Sequence, residues 1–137
     1  MRLVLDTNVV VSAVVFGGIP LRLLQAAASG DALLFTSPIL LTELRKVLAR
    51  PHLAEPLARK QSSVDQAIAS YGELALRVSP LFTPRVVERD PDDDCVIACA
   101  LAARADAIVS GDHDLLELRQ HQGIAILTAA DALARLT

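Results

Sequence analysis

Short aliphatic runs alternate with longer amphipathic segments along the chain, and this alternation predicts the secondary structure. Mostly apolar runs without polar alternation, typical of parallel strands covered on both faces, predict strands at 1–5, 33–36, 75–78, 107–109 and 124–127. The spacing of apolar positions predicts helices at 9–16, 21–29, 38–48, 63–74, 95–103, 115–120 and 129–135. Strands alternating with helices predict an α/β fold: one domain, residues 1–137, with a three-layer α/β/α Rossmann-like parallel sheet and right-handed crossovers.

Residues at the predicted helix ends support these boundaries. Ser37 ahead of Pro38 is typical of an N-cap and first turn, and Gly30 is typical of a left-handed C-terminal cap. Thr7 or Asn8 is expected to cap the first helix. Residues 79–89 contain two prolines and predict an irregular connection.

Acidic residues follow two of the predicted strands and open one helix. Asp6 ends the first strand, Asp112 follows the strand at 107–109, and Asp94 stands at the start of the helix between them. We expect a strand to lie beside the strand that precedes its crossover helix, which puts Asp94 and Asp112 on the carboxyl rim where ligands bind. Each acid alone has an ordinary explanation as a helix cap or a solvated charge.

Several negatively charged carboxylates on one rim repel one another and require a positive charge nearby. Two of them about 4 Å apart repel by about 4 kcal/mol at an effective dielectric near 20. Glu43 adds a fourth acid, because it lies beside the apolar stripe of the helix at 38–48. The set Asp6, Glu43, Asp94 and Asp112 offers only oxygen ligands, which select hard cations such as Mg²⁺ or Mn²⁺. Such an ion suits phosphodiester hydrolysis, because it activates water and neutralises charge on the leaving oxygen.

Composition narrows the class of protein. Hydrophobic residues make up 53% of the 137 positions and aromatic residues only 3%, so the core is aliphatic and a subunit or partner interface is expected. Asp6 and Asn8 interrupt the apolar start, which argues against a signal peptide or a membrane span, and we expect a cytoplasmic protein. Cys95 and Cys99 are expected to be small apolar side chains.

The chain is weakly acidic, and its charged residues are unevenly distributed along the sequence. The net charge is −3, yet setting aside the four candidate ligands leaves 12 acids against 13 Lys and Arg. The most basic stretch contains Arg45, Lys46, Arg50, His52, Arg59 and Lys60. It is either the solvated side of a helix pair or a surface that contacts phosphates without reading sequence.

Four motifs together resemble the PIN-domain nucleases, particularly the toxins of prokaryotic toxin–antitoxin pairs. They are LDTNV at 5–9, TEL at 42–44, DCVIACALA at 94–102 and SGDHDLL at 110–116, in the order of the family. The resemblance implies a PIN-like sheet, commonly dimeric, with Asp6, Glu43, Asp94 and Asp112 as the metal site. It also implies that Asn8 and Ser110 support those acids.

Because Asp92, Asp93 and Asp94 are consecutive, the sequence does not decide which of them is the third acid of the site. Asp94 is chosen because Ile97 and Ala98 then match the apolar pair of the family, and Asp92 is kept as an additional ligand. Asp114 is a lesser candidate beside Asp112. His113 could protonate a leaving group, although an exposed loop histidine is the commoner case.

The leading hypothesis is a Mg²⁺- or Mn²⁺-dependent endoribonuclease, the toxin of a toxin–antitoxin pair. Its expected partners are RNA, an antitoxin protein and a second copy of the chain, with no membrane. The alternatives are a structure-specific DNA nuclease and a weakly active or inactive binding module. Haloacid-dehalogenase-like phosphatases are disfavoured because Asn8 stands where they use a second Asp, and receiver domains because no lysine follows Lys60.

Overall fold

The computed structural model describes residues 1–87 and 90–136. Its strands are β1 (Arg2–Leu5), β2 (Leu33–Thr36), β3 (Leu76–Arg77), β4 (Ala107–Val109), β5 (Gln120–His121) and β6 (Ile124–Leu127). Its helices are α1 (Thr7–Val15), α2 (Gly18–Ala28), α3 (Pro38–Leu48), α4 (Ala54–Arg59), α5 (Val64–Leu74), α6 (Pro91–Ala103), α7 (His113–Leu116) and α8 (Ala129–Leu136), with a 3₁₀ turn at Pro51–Leu53 before α4.

The strands form one sheet in the order β3-β2-β1-β4-β6-β5. All neighbours pair in parallel except β5, which runs antiparallel to β6 at one edge. Helices cover both faces, which confirms the predicted three-layer α/β/α arrangement.

Alternate strand residues enter different cores, because successive side chains point to opposite faces of a sheet. Leu3 and Leu5 join the core that contains residues of α1, α2, α3, α5 and α8, whereas Val4 joins the core that contains residues of α6. Residues 3–5 are at most 3% exposed. The aliphatic runs therefore lack polar alternation because both faces of the strand are covered.

The capping residues at the helix ends agree with the prediction in part. Ser37 Oγ accepts a hydrogen bond from the Leu40 N–H at 3.3 Å, and Gly30 takes a left-handed φ of 83°. The expected cap of α1 was wrong: the helix already begins at Thr7, so Asp6 occupies the N-cap position.

The predicted helix at 115–120 was wrong in position. Asp112 Oδ1 accepts the Asp114 N–H at 2.8 Å and starts α7 at His113, and this helix ends at Leu116. Arg119 and Gln122 then take positive φ values of 59° and 50°, which turn the chain on either side of β5. The sequence pattern did not separate this short edge strand from the helix before it.

The neighbour of β4 also differs from the expectation. The strand before α6 is β3, but β3 lies at an edge and β4 pairs with β1. The strand order therefore reverses between β1 and β4, the kind of position where open α/β sheets bind ligands. Leu5 is paired with Val109, so the residues that follow them, Asp6 and Ser110, are neighbours.

Residues 79–87 contain no helix or strand, as the prolines predicted. The last two residues of the predicted connection, Glu88 and Arg89, lie outside the described residues.

Within the described residues, no helix taken singly has both the length and the apolar character needed to cross a membrane. The pair α1 and α2 meets those criteria jointly, with a bend of 96° between the two helices.

Candidate metal centre

Asp6 is buried at the exit of β1, with 6% of its surface exposed. Its side chain makes no capping bond to α1 although it stands at the N-cap position. Instead, Asp6 Oδ2 accepts a hydrogen bond from Ser110 Oγ at 2.7 Å. Capping therefore does not explain this carboxylate, and the contact places Ser110 next to Asp6 as the family resemblance implied.

The Ser110 hydroxyl is held from both sides. Ser110 Oγ accepts the Asp112 N–H at 2.9 Å, so its own hydrogen is directed to Asp6. Asp112 in turn uses Oδ1 to accept the Asp114 N–H, which leaves Asp112 Oδ2 without a hydrogen bond among the described residues. The protein therefore fixes Asp6 through Oδ2 and Asp112 through Oδ1, and Asp112 Oδ2 is available to a ligand.

Asp93 completes a group of three carboxylates, although the sequence did not single it out. It lies in the first turn of α6, is 3% exposed, and its Oδ2 is buried with no hydrogen-bond partner. One oxygen from each of Asp6, Asp93 and Asp112 lies within 4.8 Å of the other two. These three residues are called the acid cluster below.

Asp94 was the chosen third acid, and the structure turns its side chain elsewhere. Asp94 Oδ1 accepts the N–H groups of Val86 and Val87 at 2.9 and 2.7 Å. The carboxylate thus anchors the end of the segment 79–87 to α6. Successive residues of a helix are rotated by about 100°, so Asp93 and Asp94 cannot both point to the cluster.

Glu43 lies on α3 at the edge of the cluster, where Thr7 Oγ1 donates to Glu43 Oε2 at 3.2 Å. Burial raises the pKa of Glu43, and the negative charge of Asp92 raises it further. Asp92 is exposed and Asp114 is half-buried. Neither these two acids nor Glu43 belongs to the group of oxygens within 4.8 Å, so the structure places them around the cluster rather than in it.

The acid cluster carries an electrostatic cost. Burial raises the pKa of Asp93 to about 8, with a further contribution from the charge of Asp112. Burial also raises the pKa of Asp6, and this effect outweighs the opposing hydrogen bond from Ser110. The ion pairs among residues 1–87 and 90–136 are Arg45–Asp65 and Arg59–Glu55, so none involves the cluster.

The ligands available suit a hard cation. They are carboxylate oxygens only, one of them a buried atom without a partner, and such sets are preferred by Mg²⁺ and Mn²⁺. Cys95 adjoins the acids. Burial raises the pKa of its thiol, and burial raises the pKa of the Cys99 thiol to about 12. Both thiols are therefore protonated at neutral pH and are poor ligands, as expected.

The basic residues are exposed on and after α3, and two of them are ion-paired. Arg45 Nη1 lies 2.6 Å from Asp65 Oδ1, and Arg59 pairs with Glu55. Lys46, Arg50, His52 and Lys60 are exposed and make no ion pair within the described part of the chain.

Two further candidates lie beside the acids. His113 is exposed at the start of α7. Asn8 is also exposed, and its side chain forms no hydrogen bond to an acid among residues 1–87 and 90–136; it lines a small cavity together with Ser110. Thr7, which sequence reasoning treated only as a cap, is the residue that orients Glu43.

A mostly parallel sheet with carboxylates gathered at its switch point defines an α/β protein with a candidate site for a hard cation. A family model described as PIN domain matches residues 2–114, and the chain belongs to this family. PIN domains are typically metal-dependent nucleases, so the acid cluster is the candidate active centre. Comparison with curated proteins produced no match.

The metal-free protein is expected to lose stability as the pH rises. The pKa of Asp93 is about 8 in the folded chain against 3.8 ordinarily, so the unfolded chain releases this proton first. The free energy of unfolding then falls across this pH window, by at most about 1.4 kcal/mol per pH unit for one proton. In urea titrations with chelator, Asp93→Asn should remove this contribution to the pH dependence of the free energy of unfolding. The exposed Asp31→Asn should leave the pH dependence unchanged. Equal slopes in Asp93→Asn and wild type would contradict the assignment.

Asp94 is expected to matter for the segment 79–87 rather than for the metal. Asp94→Ala leaves two N–H groups without their acceptor, so we expect faster amide exchange at Val86 and Val87 and a loss of about 1–3 kcal/mol in stability. Mn²⁺ binding, measured by calorimetry, should persist in this variant and be lost in Asp93→Ala. The reverse pattern in folded variants would restore Asp94 as the ligand.

Proposed function

We propose that the protein is a divalent-metal-dependent endoribonuclease that hydrolyses RNA phosphodiesters at the acid cluster. The observation that carries the proposal is the convergence of Asp6, Asp93 and Asp112, which take part in no ion pair among the described residues. Membership of the PIN-domain family supports the same chemistry.

The residues of the chain have separate roles in this proposal. Asp6, Asp93 and Asp112 hold Mg²⁺ or Mn²⁺, and Asp92 and Asp114 are lesser candidates at the margin. When bound, the ion lowers the pKa of an attacking water and neutralises charge on the leaving oxygen. Ser110 keeps Asp6 in a fixed orientation through the 2.7 Å hydrogen bond.

Glu43 is assigned to the reacting water rather than to the ion. It is half-buried, is held by Thr7, and has a pKa raised by burial, which makes it a better proton acceptor than an exposed carboxylate. Its position at the edge of the acid cluster keeps it within the same site.

RNA is the proposed substrate because the motifs resemble toxins that cleave RNA. The exposed cations Lys46, Arg50 and Lys60 support a nucleic-acid partner, because such side chains contribute affinity through phosphates. Arg45 and Arg59 contribute less in this proposal, since each already pairs with an acid. Cleavage of DNA alone would favour the alternative of a DNA nuclease.

The proposal extends to a toxin neutralised by an antitoxin protein, acting in the cytoplasm as a homodimer or larger assembly. The four motifs, in the order found in the family, support assignment of the chain to its toxin group. Exposed apolar side chains support a protein partner: Leu81 is 100% exposed and Leu76 is 52% exposed.

Single-stranded RNA should be cut in the presence of Mn²⁺ or Mg²⁺ and remain intact with excess chelator. Asp6→Asn, Asp93→Asn and Asp112→Asn should each lower kcat/KM by more than about 100-fold, and Ser110→Ala by about 10–100-fold, because it only orients a ligand. The rates are measured on labelled RNA by gel electrophoresis.

Asp31→Asn is the matched control for these variants, because this exposed acid lies just before β2, at the opposite end of the strands from the acid cluster. Cleavage that survives chelator, or that survives substitution of all three cluster acids, would end the nuclease proposal.

Expression of the wild-type chain in a bacterial host should arrest growth, because hydrolysis of cellular RNA stops translation. The Asp112→Asn variant, expressed to the same level, should not arrest it. Growth curves and colony counts after induction measure the effect. Equal arrest by both chains would show that toxicity does not come from the acid cluster and would contradict the toxin role.

A further inference from the structure

A groove of about 210 Å³ opens beside the acid cluster. Its walls include Asn8 and Ser12 of α1, Ser110 after β4, and Thr128 before α8. Ser110 belongs to both the groove and the metal centre, because its Oγ lies 2.7 Å from Asp6 Oδ2. A molecule seated in this groove is therefore adjacent to the reacting centre.

The lining of the groove suits an uncharged polar ligand. It combines an amide and hydroxyls with the apolar side chains of Val9, Pro20 and Ala129, and no Lys or Arg is among the lining residues. A phosphate would find no cation there and would face the buried carboxylates nearby. The ligand that fits this chemistry has hydrogen-bonding edges and an apolar body.

Asn8 is the principal free hydrogen-bonding group of the groove. Its exposed side chain offers one donor group and one acceptor and forms no hydrogen bond within the described part of the protein. Thr128 Oγ1, by contrast, already accepts the Asp131 N–H at 3.1 Å. The family resemblance cast Asn8 as a support for the acids, yet in the structure it lines the groove and forms no hydrogen bond to a described acid.

Phe16 extends the same side of α1. Residues four apart in a helix lie on one face, so Asn8, Ser12 and Phe16 form a row along it. The ring of Phe16 is 66% exposed. An exposed aromatic side chain can stack on a nucleic-acid base whatever its sequence.

We infer that this groove binds the nucleoside of one unpaired nucleotide next to the scissile phosphate, with Asn8 bonding its polar edge and Phe16, the C-cap residue of α1 just beyond the groove, stacking on the neighbouring base. The inference rests on the proposed nuclease function and assigns the subsite that holds one nucleoside of the substrate. At about 210 Å³ the groove is smaller than the ~300–1,000 Å³ clefts that hold drug-sized ligands, which suits one nucleoside rather than several.

Kinetics on single-stranded RNA test the groove. Asn8→Ala, Phe16→Ala and the groove-filling Ser12→Leu should each raise KM about tenfold, since loss of one stacking or hydrogen-bonding contact costs roughly this much. The effect on kcat should be smaller than the effect on KM. Phe82→Ala is the matched control, because Phe82 is equally exposed, at 70%, but belongs to the segment 79–87. It should leave KM unchanged.

A second measurement does not depend on activity. Adenosine, guanosine, cytidine and uridine are titrated separately into the ¹⁵N-labelled protein, with inorganic phosphate as a comparison. Nucleosides should shift the Asn8 side-chain amide and the Gly111 backbone amide, and the shifts should vanish in Ser12→Leu.

The outcomes separate the two proposals. Unchanged KM in the Asn8 and Phe16 variants, an equal rise in Phe82→Ala, or groove shifts caused by phosphate and not by nucleosides would overturn the groove assignment while leaving the nuclease intact. If the wild-type protein cleaves no nucleic acid, yet nucleosides shift the groove, the nuclease proposal fails and the nucleoside site stands.

Discussion

The pairing of β1 with β4 is the constraint on which the site depends. Because Leu5 lies opposite Val109, the next residue of each strand emerges at the same point of the rim, and Ser110 reaches Asp6 through a 2.7 Å hydrogen bond. The same serine accepts the N–H of Asp112 and so sets the position of the second acid. A shift of one residue in this register would turn the side chains to opposite faces and separate the two carboxylates.

The site is stabilised by the fold around it and not by its own charges. Two of the three carboxylates, those of Asp6 and Asp93, are buried and that of Asp112 is half-buried, and burial raises the pKa of Asp93 to about 8. The aliphatic cores on both faces of the sheet supply the free energy that holds them there. Strain of this kind is common at functional sites, because a group that destabilises the empty protein can favour the ligand that relieves it.

Helix α6 divides two adjacent acids between two tasks. Asp93 turns toward the sheet and joins the acid cluster, whereas Asp94 turns toward Val86 and Val87 and holds the preceding segment against the helix. On the other side of the cluster, α1 carries Asn8 and Ser12 along the groove. The two helices therefore have different roles around the site: α6 anchors the segment 79–87, and α1 lines the groove.

The sequence by itself determined the fold class and the acids at strand ends. The aliphatic runs at 1–5 and 107–109 are typical of covered strands, and acids that follow such strands, Asp6 directly and Asp112 after two residues, are expected at the rim. Tertiary structure alone decided which of Asp93 and Asp94 enters the cluster, because side-chain direction on a helix depends on how the helix is rotated against the sheet. It also decided that β4 lies beside β1 and that Asn8 faces a groove, because these depend on contacts between elements distant in the chain.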